Sequence, residues 1–474
     1  KEIITTLIKE KLFFKKNKFF VNLPEHHYKN NGDQFFYYNE RWSKPSKLLK
    51  DFDYLEDLYE QNLKSVSKKL NKYHDKKYPI SYWRLIIGKW LYRFICVVYE
   101  RHNSIIDIDR NYKNLKFYKL KYNFHNFIPC GIEDFGRFHT THAWNEYVYS
   151  EIINQCEIRS IEVISSKKIL NFSDSKEIYK RLTIKKESMK KKIYLAFINF
   201  LSTFNVNINY LIFDTYLSFI DEIKLNYKVN KRFTLLTTVN LDKLLINTLK
   251  KKKLSKLRKF SSKTKNKNFK NFISEFILIN LPIGYLEGFD AIKSALKNLK
   301  LPVSPKIIFT TRGVNRSTLI DHYIGSKLLE NTKLIIGQHG GNYGQHKGHW
   351  GSKHEMKISN KFLSWENKKT KSQIPFGYIK GIQETKYDKN NKMILFETRN
   401  RSMFSGEFKI DVGSVSSVTY MKKICSFLKK IQSTKLLESL RIKNRESNFG
   451  WEEKKKFLKA NNNIKFINPK LKMT

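Results

Sequence analysis

A strand, a helix and a second strand are packed into residues 306–336, and that spacing leaves little freedom in how the chain can fold. Lys306-Ile307-Ile308-Phe309-Thr310 is a short apolar run following Pro302 and Pro305. Ser317 to Glu330 reads as a helix with Asn315 or Ser317 as its cap, and Lys333–Ile336 is the next strand. Strands this short and this apolar suit burial on both faces of a parallel sheet. A unit of this length joins two parallel strands by a right-handed crossover. The second strand stops abruptly in Gly337-Gln338-His339-Gly340-Gly341. That places an imidazole on a tight loop at the strand's carboxyl end, the edge where ligands sit in open α/β sheets.

The rest of the chain extends this α/β pattern. At 474 residues it exceeds one ordinary core, so two domains are expected. Apolar residues make up 41% of the chain, which excludes a disordered protein despite its charge. From Phe52 to His74, Leu55, Leu58, Tyr59, Leu63, Val66, Leu70 and Tyr73 recur at helical spacing, with Asp51 and Asp53 suited to the first turn. Residues 81–102 are apolar on most sides but carry Lys89 and Arg93. Their apolar runs fall far short of the ~20 residues that span a bilayer, so a buried core helix is expected ahead of an interfacial one. Tyr210-Leu211-Ile212-Phe213 reads as a strand running into Asp214, a helix cap ahead of a site residue. A second α/β unit starts at Lys392: strand Met393–Phe396, a polar loop with Arg399, Arg401 and Ser402, a helix over Val415–Gln432, a strand over Ser439–Ile442, a helix over Trp451–Ala460 and a short strand at Ile464–Ile467.

Ninety-one Lys and Arg against 43 Asp and Glu give a formal charge of +48. Such a charge suits a polyanion: nucleic acid, an anionic membrane surface or a phosphorylated substrate. Here lysines are scattered through every segment, alongside abundant Asn, Ile, Phe and Tyr, which is the mark of A- and T-rich codons. The basic run over residues 249–270 lacks the interleaved aromatics that single-stranded nucleic acid stacks on. Cys96, Cys130, Cys156 and Cys425 are far apart and form no CxxC, which fits a reducing cytoplasm, and there is no signal-peptide pattern. His26-His27 with Asp33 lies in a turn-like stretch. His139 and His142 lack a third ligand for a tetrahedral metal site, and Thr140 or Thr141 reads as a helix cap beside them.

The chemistry of the glycine-histidine loop has three readings. Glycines let a backbone approach a ligand closely, and an imidazole can take a proton from a hydroxyl near neutral pH, kept neutral by surrounding Lys and Arg. Alternatively His339, His346, His349 and His354, four histidines in sixteen residues, hold a metal with help from Glu355. No pair of them has the i, i+4 spacing of a helical zinc site. The third reading is a structural turn histidine.

The ordered set SYWRLIIGKWLYRFICVVYER, FDTYLSFIDEIKL, LPIGYLEGF, KLIIGQHGGNYG, KHEMKISNKFLSW and IPFGYIKG resembles bacterial surface-carbohydrate transferases of capsule and O-antigen assembly. The QHGG loop is also similar to that of capsule polysaccharide and teichoic-acid transferases. The resemblance implies a GT-B arrangement of two Rossmann-like domains with a helical N-terminal elaboration. The first domain would bind a glycan or lipid-linked acceptor and present His339 as the base, with Gln338, Gly340, Gly341 and Tyr343 shaping the site. The second, over residues 386–474 after a first over residues 1–385, would bind a nucleotide-sugar donor; Arg399, Arg401 and Ser402 are expected at its phosphates from their place at the carboxyl end of that unit's first strand. No cofactor, no metal and no specific nucleic acid are implied. The location implied is cytoplasmic, with peripheral contact at the inner face of an anionic membrane. The sequence departs from the family where Glu446-Ser447-Asn448 stands in place of an expected histidine. The family's second domain also continues beyond Phe449-Gly450-Trp451 into a further strand and a nucleotide loop, so this domain is expected to be truncated. The rival readings are a basic nucleic-acid- or membrane-binding protein, a metal-dependent hydrolase using the histidine cluster, and a non-catalytic remnant.

Overall fold

A computed structural model describes residues 2–6, 18–21, 36–38, 45–171, 207–232, 236, 241–249, 252–259, 268–340, 343–344, 349–366, 370–379, 394–397, 414–431, 435–444 and 453–468. Its strands lie in three parallel sheets. The first part of the chain runs β1 (Glu2–Ile4), β2 (Lys18–Val21), β3 (Phe36–Tyr38), α1 (Pro45–His74), α2 (Ile80–Asn111), β4 (Leu115–Lys121), α3 (Ile132–Phe138), α4 (His142–Gln155) and β5 (Ile161–Ile169). Its sheet has the order β3-β2-β1-β4-β5, which reverses direction at β1 as doubly wound sheets do.

The chain continues through β6 (Tyr210–Ile212), α5 (Phe219–Asn230), α6 (Leu241–Leu249), α7 (Phe269–Asn280), α8 (Phe289–Lys297), β7 (Ile307–Thr310), α9 (Thr318–Leu329), β8 (Lys333–Gly337), α10 (Trp350–Ile358), β9 (Lys361–Ser364) and β10 (Gln373–Pro375). Here the strands line up in chain order, β6 to β10, every neighbouring pair parallel. A third sheet, β11-β12-β13, is built from β11 (Ile394–Glu397), β12 (Leu440–Lys443) and β13 (Lys465–Phe466), with α11 (Ser414–Lys430), α12 (Lys435–Ser439) and α13 (Glu453–Ala460) between them. Residues 1–385 therefore carry two sheets, and the third falls within residues 386–474.

The long helix α2 organises the core. Trp83, Trp90, Phe94 and Ile95 are fully buried or nearly so, because α1, α4, α7, α9 and α10 all pack against α2. This is why it is apolar on most sides. Among the described residues, no helix is long and apolar enough to cross a membrane. Gly88 is where α2 lets α10 approach: a Cβ there would stand 2.8 Å from His354 Cε1 and 2.8 Å from the Tyr59 hydroxyl oxygen. Since His354 is buried and cannot swing away, Gly88→Ala is expected to cost about 1–3 kcal/mol, read as a lower midpoint in urea unfolding, and to displace the neighbouring Glu355. An unchanged midpoint would show that α10 yields freely.

The β7–α9–β8 unit forms where the spacing places it, within one residue at each end. Its cap differs. Ser317 occupies the N-cap position but makes no side-chain cap bond. Instead the Glu133 carboxylate, from the first turn of α3, accepts from the Thr318 backbone N–H at 3.0 Å and from the Thr318 hydroxyl at 2.5 Å. Helix α1 begins at Pro45, upstream of the expected start, so Asp51 is not a first-turn acid. It lies buried and accepts a hydrogen bond from the Tyr99 hydroxyl at 2.9 Å.

Candidate functional site

Because β6 to β9 run parallel in chain order, the loops that follow them leave the sheet at one carboxyl edge. Thr310 pairs with Ile336, so the loop after β7 emerges beside the glycine-histidine loop after β8. The closeness is direct: a Cβ on Gly337 would meet Thr311 Cγ2 at 2.9 Å and Ile379 Cδ1 at 2.5 Å. Gly337 is thus the glycine that packing requires. Gly340 has open space around its Cα, and neither glycine has a positive φ.

His339 lies half-buried at this edge. The Tyr343 hydroxyl is 2.9 Å from His339 Nδ1 and donates to Glu355 Oε2 at 2.7 Å. A phenol has one proton, and Glu355 takes it. The Tyr343 oxygen can then only accept from the imidazole; it lies 2.9 Å from Nδ1 and 3.4 Å from Nε2, so a proton on Nδ1, the nearer nitrogen, leaves Nε2 with the lone pair. Glu355 Oε1 is 3.8 Å from the same Nδ1. Burial, reinforced by Arg316, Lys89 and Arg312, pushes the imidazole down to about 4, so it is neutral at pH 7. Burial raises the Tyr343 phenol, and the Glu355 charge adds to this. Burial likewise raises the Glu355 carboxyl, opposed by the Tyr343 hydrogen bond and by Lys89. The Lys89 ammonium is lowered by burial and by Arg93, against the pull of Glu355.

The other face of His339 is built from the two preceding loops. The Tyr216 ring lies nearly parallel to the imidazole, 14° between planes and 6.3 Å between centroids. The Arg312 guanidinium sits 5.0 Å from the Tyr216 ring centroid. Asp214 holds that guanidinium at 3.0 Å, and its carbonyl accepts from the Arg312 backbone N–H at 3.1 Å. Asp214 is therefore not a helix cap. Ser218 caps α5, accepting from the Asp221 N–H at 3.2 Å, while Asp214 adopts φ 48° to turn its carboxylate toward Arg312.

Gln338 is buried and clamps the loop: its N–H donates to the Leu363 carbonyl at 2.8 Å, its Oε1 accepts from the Trp365 N–H at 3.0 Å, and its Nε2 donates to the Gly340 carbonyl at 3.3 Å. The histidines of the metal reading have separate tasks. His349 Nδ1 caps α10, accepting from the Ser352 N–H at 3.3 Å. His354 stacks on Trp350 at 4.5 Å with Nε2 3.3 Å from Asn315 Oδ1. Among the described residues, no three His, Cys, Asp or Glu are grouped so as to hold a metal. His139 is packed on Phe135 and hydrogen-bonded through Nδ1 to the Phe135 carbonyl at 2.8 Å, and Thr141 caps α4 by accepting from the Trp144 N–H at 3.1 Å. Gly341, His346, Arg399, Arg401, Ser402, His26, His27 and Asp33 lie outside the described residues.

Sequence reasoning missed Tyr216, Arg312 and Arg316, saw Lys89 only as a charge on a core helix, and saw Glu355 only as a metal ligand. The motif Thr311-Arg312-Gly313-Val314-Asn315-Arg316 at a strand's carboxyl end carried a legible signal, two arginines on a strand-to-helix loop. Tyr216 and Lys89 carried none, since only folding brings their elements to this edge.

A family model described as "LIC12162 family transferase" matches residues 1–472. No curated protein and no solved structure matches.

Proposed function

The chain belongs to the LIC12162 family of transferases, and from that premise we propose that it transfers a sugar from a nucleotide-activated donor to a hydroxyl of a glycan or lipid-linked acceptor in surface polysaccharide assembly. The observation that carries this reading is the Glu355–Tyr343–His339 chain at the sheet's carboxyl edge. It favours the tautomer protonated on Nδ1, the nitrogen nearer the phenol, in which the Nε2 lone pair can accept a proton. His339 Nε2 takes the acceptor hydroxyl proton. The freed oxygen forms the new bond to the anomeric carbon, and the bond from that carbon to the nucleotide phosphate breaks, its electron pair leaving with the phosphate. Tyr343 and Glu355 position the ring and favour the imidazolium as it forms. In this reading the two units of a GT-B arrangement, residues 1–385 and 386–474, face one cleft. Gln338, Gly340 and Gly341 shape the acceptor side, and Arg399, Arg401 and Ser402 meet the donor phosphates. The protein works at the cytoplasmic face of an anionic membrane.

A panel of nucleotide sugars incubated with the protein and oligosaccharide acceptors tests the reaction class. Nucleotide release that depends on acceptor is expected, and its absence with every donor would remove the glycosyl reading. The pH profile tests the base. The folded His339 titrates near 4, below its ordinary 6.5, so it stays neutral and competent as pH falls from 8 to 5. The rate constant kcat/KM should fall about tenfold per unit below about 4, with a shallower decline at higher pH as the Glu355 carboxyl, raised by burial, takes up its proton and ceases to accept from Tyr343 as a carboxylate. The same shift makes stability fall between pH 6.5 and 4, because the unfolded chain binds the proton first. Tyr343→Phe, which deletes the acceptor for Nδ1–H, should lower the rate about tenfold. An acid limb of about tenfold per unit near 6.5 in the wild-type protein would contradict His339 as the base.

A further inference from the structure

The edge beside His339 carries more positive charge than proton abstraction needs. Arg312 and Arg316 flank Gly313-Val314-Asn315 in the loop from β7 to α9, alongside the glycine-histidine loop. Arg312 is held in one orientation by Asp214 and by the Tyr216 face that stacks on His339. Arg316 is exposed at the start of α9, and Lys89 reaches the same place half-buried from α2. The loop and this stretch of α2 meet at α10: Asn315 Oδ1 lies 3.3 Å from His354 Nε2, and a Cβ on Gly88 would stand 2.8 Å from His354 Cε1, one residue before Glu355. Of the nearby carboxylates, one pairs with Arg312 and two are drawn toward neutrality. Asp214 binds Arg312; Glu355 receives Tyr343 and is raised by burial; Asp321 accepts from the Asn315 N–H at 2.7 Å and burial pushes it well above the usual carboxylate range.

Two guanidinium groups and an ammonium on segments that meet beside His339 suit a phosphate, which guanidinium groups bind through paired hydrogen bonds, better than a neutral sugar. From this cluster we infer that the acceptor carries a phosphate group, bound by Arg312, Arg316 and Lys89 next to the hydroxyl that His339 deprotonates. This rests on the transferase reading above, in which the donor phosphates are bound by the 386–474 unit. It adds that the acceptor itself is anionic, whether its phosphate belongs to a soluble sugar phosphate or to a lipid headgroup.

The full chain, titrated calorimetrically with glycerol 3-phosphate, tests this with a small molecule that has both a hydroxyl and a phosphate. Binding is expected for glycerol 3-phosphate and not for glycerol. It should weaken about tenfold or more in Arg316→Gln, whose exposed position makes the substitution harmless to folding, and persist when the protein is saturated with UDP. Arg316-dependent binding to phosphatidylcholine vesicles containing phosphatidic acid, absent with phosphatidylcholine alone, would identify the lipid source; soluble binding alone would identify the free one. The inference is overturned by no binding of glycerol 3-phosphate, by binding indifferent to Arg316→Gln, or by displacement with UDP, which would give this edge to the donor. Failure of the base role is a separate result: turnover retained in His339→Ala, with phosphate binding intact.

Discussion

Replacing His339 with alanine is expected to lower the transfer rate about a hundred- to ten-thousand-fold, the range over which a positioned base contributes. The variant removes the proton-accepting nitrogen and nothing that the fold depends on. His339 is half-buried, and its described hydrogen bond goes to Tyr343, whose proton remains committed to Glu355. Urea unfolding should therefore shift by less than about 1 kcal/mol, in line with the loss of one hydrogen bond. The two readouts together separate a base from a structural turn residue. A large rate loss with a preserved midpoint fits proton abstraction. Near-normal turnover would exclude it, and a collapse in stability would show that the imidazole serves the fold.

The largest effect on stability is expected from Glu287→Ala. Glu287 and Arg258 form a buried bidentate pair, with Nε to Oε1 and Nη2 to Oε2 both at 2.6 Å and side-chain exposures of 5% and 1%. Arg258 also donates through Nη1 to the Ile279 carbonyl at 2.8 Å, and Glu287 accepts from the Ser255 N–H at 2.8 Å. The pair thus ties residues 255–258 to the end of α7 and to the turn before α8. Removing one partner leaves a guanidinium uncompensated in the interior, which costs about 3–5 kcal/mol. Glu287→Gln, which keeps an acceptor but not the charge, should lose less. Burial alone would raise the Glu287 carboxyl, but Arg258 holds it below the ordinary carboxylate range. Its contribution is accordingly present at neutral pH and lost as pH falls through the carboxylate range. A loss under 1 kcal/mol for the alanine variant, measured by urea unfolding at pH 7, would contradict the pair's role.

Legibility in the sequence followed interaction range. Helix α2, the β7–α9–β8 crossover and the Thr141 cap were readable because each depends on residues within one or two turns of each other. The caps that failed were those settled at a distance. Asp214 looks like a cap locally, yet the Arg312 guanidinium on the neighbouring strand's loop captures it. Ser317 looks like a cap too, and Glu133, 185 residues before Thr318, takes the bond from the Thr318 N–H. At Asp214 an ionised partner wins, since hydrogen bonds to charged groups are the stronger ones, while at α9 a carboxyl brought in by the fold reaches the amide that the local hydroxyl does not.

The glycine-histidine loop marks the same boundary. By itself the sequence determined that a histidine stands at the carboxyl end of a buried parallel strand, because period and length specify a strand and glycines specify its abrupt end. Only the tertiary structure decided what that histidine can do. Tyr343 and Glu355 bias its tautomer, burial and three cations from α2 and the β7–α9 loop keep it neutral, and the Tyr216 ring lies nearly parallel to it. Proton affinity is a property of surroundings, and these surroundings are gathered from segments that local pattern leaves unconnected.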